Sequence, residues 1–121
     1  MTPKGDYWND KRGYYINKGL ELLGDMEMYN DTLRDFIAES ETRIPAISQA
    51  LATGDMENYG ILTHAMKSDS KYLGFDKLAE LSYNHEMAGK GGDVAYAQTN
   101  NPELMAEANR IIAVVKQYLG M

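Results

Sequence analysis

The residues best suited to chemistry lie in one short run, residues 63–75. On a helix, at about 100° per residue, His64 points about 140° away from Tyr59, which lies in the apolar stripe. Lys67 and Lys71 fall on the same side as His64. A histidine that faces water beside two lysines is poorly explained by core packing. Because neutral imidazole has a free ring nitrogen and ammonium groups attract a dianion, the pattern predicts a phosphoryl acceptor.

Small residues flank this histidine on the same face. Gly60, at i−4, and Ser68, at i+4, would leave room for a partner protein to approach His64. A glycine inside a helix costs about 1 kcal/mol relative to alanine, so Gly60 calls for such a reason. Ile61 falls outside the apolar stripe, and we expect it to be exposed and available for docking. Asp69 is about 140° from His64, so its carboxylate should not repel a phosphoryl group.

Length and composition restrict the class of protein. The chain has 121 residues, enough for one core, and no cysteine, which excludes disulfides, thiolate metal sites and a cysteine nucleophile. A formal net charge of −6 disfavours nucleic acid as a partner. There is no apolar run near 18 residues and no signal-peptide pattern. We therefore expect a cytoplasmic protein that does not bind membranes.

Helical periodicity dominates the chain and no convincing strand alternation is present. Pro45 lies within the longest helix and should bend it or divide it into two stacked pieces. Gly74 should end the helix that carries His64. Asn101 and Pro102 are typical of a helix start, which makes residues 89–101 the longest and most mobile loop. The helices are predicted at residues 14–23, 25–52, 55–73, 75–88 and 102–119.

The predicted fold is all-α: an antiparallel up-down four-helix bundle with an additional short N-terminal helix. Residues 14–121 would form this domain, and residues 1–13 an N-terminal extension. Four amphipathic helices joined by short loops are typical of this architecture, because each helix has one apolar stripe to bury.

Two further residues raise the question of a second site. His85 lies on the apolar face of its helix, and we expect it to be a partly buried, hydrogen-bonded histidine. It shares no face with His64, and no ligand cluster accompanies either, so a metal site is not predicted. A di-iron bundle would need Glu three residues before each histidine, but Ile61 and Ser82 occupy those positions. Glu86 is interpreted as a solvated helix charge.

The chain also carries a recognisable motif. It begins with the run H-A-M-K-S at His64 and continues with Gly74, Leu78, Leu81 and Glu86. This pattern resembles the histidine-containing phosphotransfer (HPt) domain of bacterial phosphorelays, which reads H-x-L-K-G/S-x-S-x-x-x-G followed by spaced leucines and a terminal L-E. The similarity covers roughly residues 14–119. Two positions depart from it: Ser68 stands where glycine is commoner, and His85 where leucine is usual.

The resemblance implies a role for each motif residue. His64 would be the phospho-acceptor, Lys67 the electrostatic stabiliser and Ser68 the small neighbour. Family members accept a phosphoryl group from an aspartate of a response-regulator receiver domain and pass it to another. They are phosphocarriers without an ATP site or hydrolytic activity, and the Mg²⁺ belongs to the receiver. The expected partners are receiver domains and a hybrid sensor histidine kinase, with the carrier itself monomeric.

Two other functions are alternatives to the phosphocarrier. A non-catalytic adaptor would dock receivers with the same bundle but carry no phosphate, and the presence of both His64 and Lys67 favours the carrier. A dimerisation helix pair of a sensor kinase is disfavoured, because the acidic and then Arg-Pro run of those kinases does not follow His64.

Overall fold

The computed structural model describes residues 26–121, and these residues form four α-helices and no strand. The helices are α1 (Met26–Thr53), α2 (Met56–Leu73), α3 (Asp76–Gly91) and α4 (Val94–Leu119). The N-terminal extension and the helix predicted at residues 14–23 lie outside the described residues. None of the four helices is long and apolar enough to span a membrane.

Very short connections join the helices and place consecutive helices antiparallel. The end of α2 illustrates the chemistry of these turns. Gly74 has φ 87°, a left-handed conformation that costs glycine little, and its N–H donates to the Lys71 carbonyl at 3.3 Å. At the start of α2, the Asp55 side chain accepts the N–H of Asn58 at 3.1 Å. Both ends of this helix were predicted from the sequence.

The helices pack in cyclic order, α1 on α2, α2 on α3, α3 on α4 and α4 on α1. Tyr118 closes the ring by donating its hydroxyl hydrogen to Asn30 Oδ1 at 2.9 Å, which joins the end of α4 to the start of α1. The all-α bundle is therefore confirmed for residues 26–121. Its fully buried large side chains come from all four helices and from the connection between α2 and α3, which contributes Phe75: Tyr29, Leu33, Ile37, Ile47, Tyr59, Met66, Leu73, Phe75, Leu78 and Leu104.

The predicted mobile loop at residues 89–101 is wrong, because α4 begins directly after Asp93. The Asp93 side chain accepts the N–H of Tyr96 at 3.0 Å, which satisfies one of the free donors of the first turn. Pro102 lies inside the helix and not at its start. Because the segment before Pro102 is helical, Ala97 is completely buried. The helix has this burial although the proline itself cannot donate a backbone hydrogen bond.

The first helix is continuous. α1 runs through Pro45 without interruption, so the expectation of two separate pieces is wrong. Proline removes one backbone hydrogen bond, but buried residues on either side of it, Ser40 and Ile47, keep the same face of α1 against the core. Tertiary packing thus outweighs the local cost of the proline.

Candidate functional site

His64 lies on α2 with 57 % of its side chain exposed, as the sequence predicted. Its Nδ1 atom is 2.8 Å from Oε2 of Glu86, a residue of the adjacent helix α3. One ring nitrogen is therefore engaged within the protein. The ring as a whole remains open to solvent and to a partner.

Glu86 is the centre of the site, although it was interpreted as a solvated charge. That interpretation is wrong, because only 2 % of the side chain is exposed. Its Oε1 lies 2.8 Å from Lys67 Nζ, and its Oε2 lies 3.1 Å from Lys90 Nζ. A buried carboxylate is stable only with such partners.

The partners of Glu86 also determine its ionisation. Burial by itself would raise the pKa of this carboxyl, but the bonds from Lys67, Lys90 and His64 outweigh it and lower the pKa to about 2. An ionised carboxylate accepts hydrogen bonds and donates none, so Nδ1 of His64 is the donor in their contact. In the neutral ring, the other nitrogen, Nε2, then carries the free electron pair.

Lys67 lies one helical turn after His64, and 20 % of its side chain is exposed. Its ammonium is 5.3 Å from the centre of the Tyr83 ring, which holds the side chain from a second side. The Glu86 carboxylate and the ammonium groups of Lys67 and Lys90 together sum to one net positive charge. Such a cluster attracts a phosphoryl dianion.

An open groove of about 850 Å³ adjoins His64, between the start of α2 and the end of α3. Ile61 lines it with 59 % of its surface exposed, so the expected exposure is confirmed, and its role in docking stays a prediction. Glu57 and Lys90 place one charge of each sign along the same groove.

Gly60 differs from the expectation that it opens the face around His64. It lines the groove, yet it is buried, and a Cβ built on it would lie 3.5 Å from the Cα of Gly89. The partner that approaches Gly60 is therefore α3 of the same chain. Ser68, in contrast, is exposed as predicted.

Lys71 and Gly74 lie outside the Glu86 cluster, which consists of Glu86, His64, Lys67 and Lys90. Lys71 is exposed and lines a separate cavity of about 350 Å³ together with Lys67, Asp76 and Glu80. Two carboxylates near it reduce the positive field that it can offer to His64. Gly74, the glycine of the motif, forms the C-cap of α2 and is structural in this position.

The second histidine belongs to the core. The Nδ1 of His85 is 2.7 Å from the hydroxyl of Tyr59, which confirms the predicted hydrogen bonding. With 1 % of its surface exposed, His85 is more deeply buried than the partly buried histidine that the sequence predicts. Burial lowers the pKa of His85, so the ring is neutral and Nδ1 accepts the Tyr59 O–H. Asn101 of α4 donates to the same Tyr59 oxygen at 3.3 Å. This buried network joins three helices directly beside the Glu86 cluster.

Two further points concern charge and metals. The carboxylate of Asp69 is 2.7 Å from Arg43 on α1, so it is directed away from His64, as predicted. Within residues 26–121, no three His, Asp or Glu side chains form a group that could hold a metal ion. His64 and His85 bind different partners, Glu86 and Tyr59.

Comparison with known proteins identifies the family. Searches of curated proteins and of solved structures found no match to the chain. The family model described as the Hpt domain matches residues 31–117, which include His64, Lys67 and Glu86. Hpt domains are phosphocarrier modules of two-component signalling. The match covers most of the chain and confirms the resemblance seen in the motif: this chain belongs to the histidine-containing phosphotransfer (Hpt) domain family.

Proposed function

We propose that this protein is a phosphocarrier of a phosphorelay, in which His64 accepts a phosphoryl group from an aspartate of a response-regulator receiver and passes it to another receiver. The observation that supports this most is the bond from His64 Nδ1 to the buried Glu86 carboxylate. Because Nδ1 donates that bond, the nucleophilic electron pair is on Nε2, in a ring that is more than half exposed.

The transfer step needs no proton movement. The Nε2 electron pair forms a bond to phosphorus, the bond between phosphorus and the aspartyl oxygen breaks, and the aspartate leaves as a carboxylate. Since Nδ1 keeps its hydrogen, the imidazole ring becomes positively charged. Glu86, 2.8 Å away, stabilises that charge. Reversal of the same step delivers the phosphoryl group to the next receiver.

The lysines supply electrostatic stabilisation. Lys67 and Lys90 cancel the charge of Glu86 and leave a positive excess, which lowers the cost of bringing three phosphoryl oxygens next to a carboxylate. Lys71 acts only at longer range. The Mg²⁺ of the reaction is held by the receiver, and the carrier needs no cofactor, no ATP site and no hydrolytic activity of its own.

The partner surface is the face around His64. Ile61 offers an apolar contact there, and Ser68 leaves space beside the ring. We assign two kinds of partner to this face: the receiver domains of response regulators, and a hybrid sensor histidine kinase, which docks through its receiver. The carrier acts as a monomer.

The test is phosphotransfer from a panel of receiver domains charged with acetyl phosphate. We expect acid-labile, base-stable label on the wild-type protein and none on His64→Gln, which keeps a polar side chain but has no imidazole. Equal labelling of His64→Gln would contradict the assignment of the acceptor. Binding to a receiver without any label would instead indicate the non-catalytic adaptor.

A further inference from the structure

The backbones of α2 and α3 come into direct contact at Gly60 and Gly89. A Cβ placed on Gly89 would lie 2.6 Å from both the Cα and the N of Gly60, and 2.9 Å from the Met56 carbonyl oxygen. All three are backbone atoms, which cannot rotate away as the end of a side chain can. At this helix spacing only glycine fits at position 89.

Backbone conformation does not account for this glycine. The described glycines with positive φ are Gly54, Gly74, Gly92 and Gly120, so Gly89 has dihedral angles that any residue adopts. A glycine in such a helical position costs about 0.5 to 1 kcal/mol relative to alanine. The requirement at Gly89 is therefore the contact with α2.

The requirement is also specific to one residue. A Cβ on Gly60 would meet α3 at 3.5 Å, an ordinary contact, and a Cβ on Gly91 would point into open space. Of these three neighbouring glycines, only Gly89 forces the helices apart when it is replaced by alanine. Gly91 therefore provides a matched control on the same helix.

The contact lies one turn from the phosphoryl site on both helices. Gly60 is four residues before His64, and Gly89 is three residues after Glu86. The distance between the two helix axes at this point sets the reach of the Glu86 side chain. The Glu86 carboxylate oxygens lie 2.8 Å from His64 Nδ1 and 2.8 Å from Lys67 Nζ. Such contacts weaken steeply when the distance between the heavy atoms grows beyond about 3.2 Å.

We propose that Gly89 is a positioning residue for phosphoryl transfer: its contact with Gly60 holds Glu86 close enough to fix the Nδ1–H form of the His64 ring. The effect expected on phosphoryl transfer rests on the proposed function. The effect expected on which His64 nitrogen is protonated rests on the geometry alone. A side chain at position 89 moves α3 outward, lengthens the bond from His64 to Glu86, and releases the proton to either nitrogen.

The experiment compares Gly89→Ala with Gly91→Ala in the 121-residue chain. The first readout is ¹⁵N NMR of the unphosphorylated protein, which distinguishes protonation at Nδ1 from protonation at Nε2 of His64. The second is the rate of transfer from a receiver that labels the wild type. We expect Gly91→Ala to keep the Nδ1–H signal and a rate within about twofold, and Gly89→Ala to lose that signal and to transfer at least about tenfold more slowly.

Two outcomes would overturn the proposal: Gly89→Ala retaining the wild-type tautomer and rate, or Gly91→Ala losing both to the same extent. Should Gly89→Ala fail to fold, Gly60→Val replaces it: its Cβ already touches α3 at 3.5 Å, so its two γ carbons press on the α3 backbone and must shift the His64 tautomer in the same direction. An unchanged tautomer in a folded Gly60→Val would equally reject the proposal. If the wild type accepts no phosphoryl group, the proposed function fails, but the NMR comparison still decides the role of Gly89.

Discussion

At the scale of single residues, the reactivity of His64 depends on which ring nitrogen holds the proton. Glu86 decides this, because an ionised carboxylate 2.8 Å from Nδ1 can only accept a hydrogen. The lysines on either side keep the carboxylate ionised and offset its charge. In the proposed function, His64, Glu86, Lys67 and Lys90 therefore set both the nucleophilic nitrogen and the electrostatic field that a phosphoryl group would meet.

The three lysines should differ in their effect on transfer. Lys67 is largely buried against Glu86, so we expect Lys67→Gln to slow transfer about tenfold or more. Lys90 is mostly exposed and screened by water, which limits Lys90→Gln to a loss of about two- to fivefold. Lys71→Gln should have the smallest effect. Initial rates of receiver-to-carrier transfer at one salt concentration test this order, and an effect of Lys71→Gln above that of Lys67→Gln would contradict it.

The sequence was sufficient to predict that His64 and Lys67 share one side of α2, but not that Glu86 and Lys90 of α3 lie beside them. His64 and Lys67 share one helix, so their spacing alone puts them on one face. The bond to Glu86 crosses between helices and depends on how far α3 is shifted along α2. The i,i+4 spacing of Glu86 and Lys90 was a usable signal, although such pairs are common on solvated faces.

At the scale of helices, residues 94–101 show where local signals mislead. Asn101 followed by Pro102 is a typical helix start, but Asp93 provides a competing cap, and α4 begins there. The end of α2 that the sequence predicts at Gly74 is right, because Gly74 adopts the left-handed conformation that ends a helix and no other strong stop signal lies beside it.

This assignment of α4 predicts slow hydrogen exchange before Pro102. Amides from Ala97 to Asn101 should be protected at a level close to the rest of α4, since their N–H groups bond within the helix. Asp93→Ala should lower that protection and destabilise the protein by about 1 kcal/mol, as loss of a side-chain cap does. Native-state exchange followed by NMR is the measurement. Rapid exchange of these amides in the wild type would contradict the helix and indicate the mobile loop instead.

At the scale of the whole molecule, two buried side chains couple stability to pH. His85 has a pKa lowered by burial, so the unfolded chain takes up that proton first as the pH falls. Glu86 has a pKa of about 2 in the folded protein against 4.5 as the ordinary value, so its bonds are lost only at lower pH. Both effects make the protein less stable in acid.

We therefore expect the free energy of unfolding to fall in two stages. It should decrease as the pH drops below about 6.5, where the unfolded form of His85 becomes protonated. It should decrease again between about pH 4.5 and 2, by roughly 3 kcal/mol in total, as Glu86 loses its charge. Urea unfolding across this range measures both stages. Glu86→Gln should remove most of the second stage and retain the first; parallel profiles of the variant and the wild type below pH 4.5 would contradict the role given to Glu86.

In the proposed function, Nε2 of His64 carries the phosphoryl group while Nδ1 stays bonded to Glu86. The most direct measurement is ¹⁵N and ³¹P NMR of the histidine-labelled protein after transfer from a charged receiver. We expect phosphorus bonded to Nε2 of His64, with Nδ1 still protonated and His85 unchanged. Phosphorus on Nδ1 of His64, on His85, or on any side chain other than a histidine would contradict it.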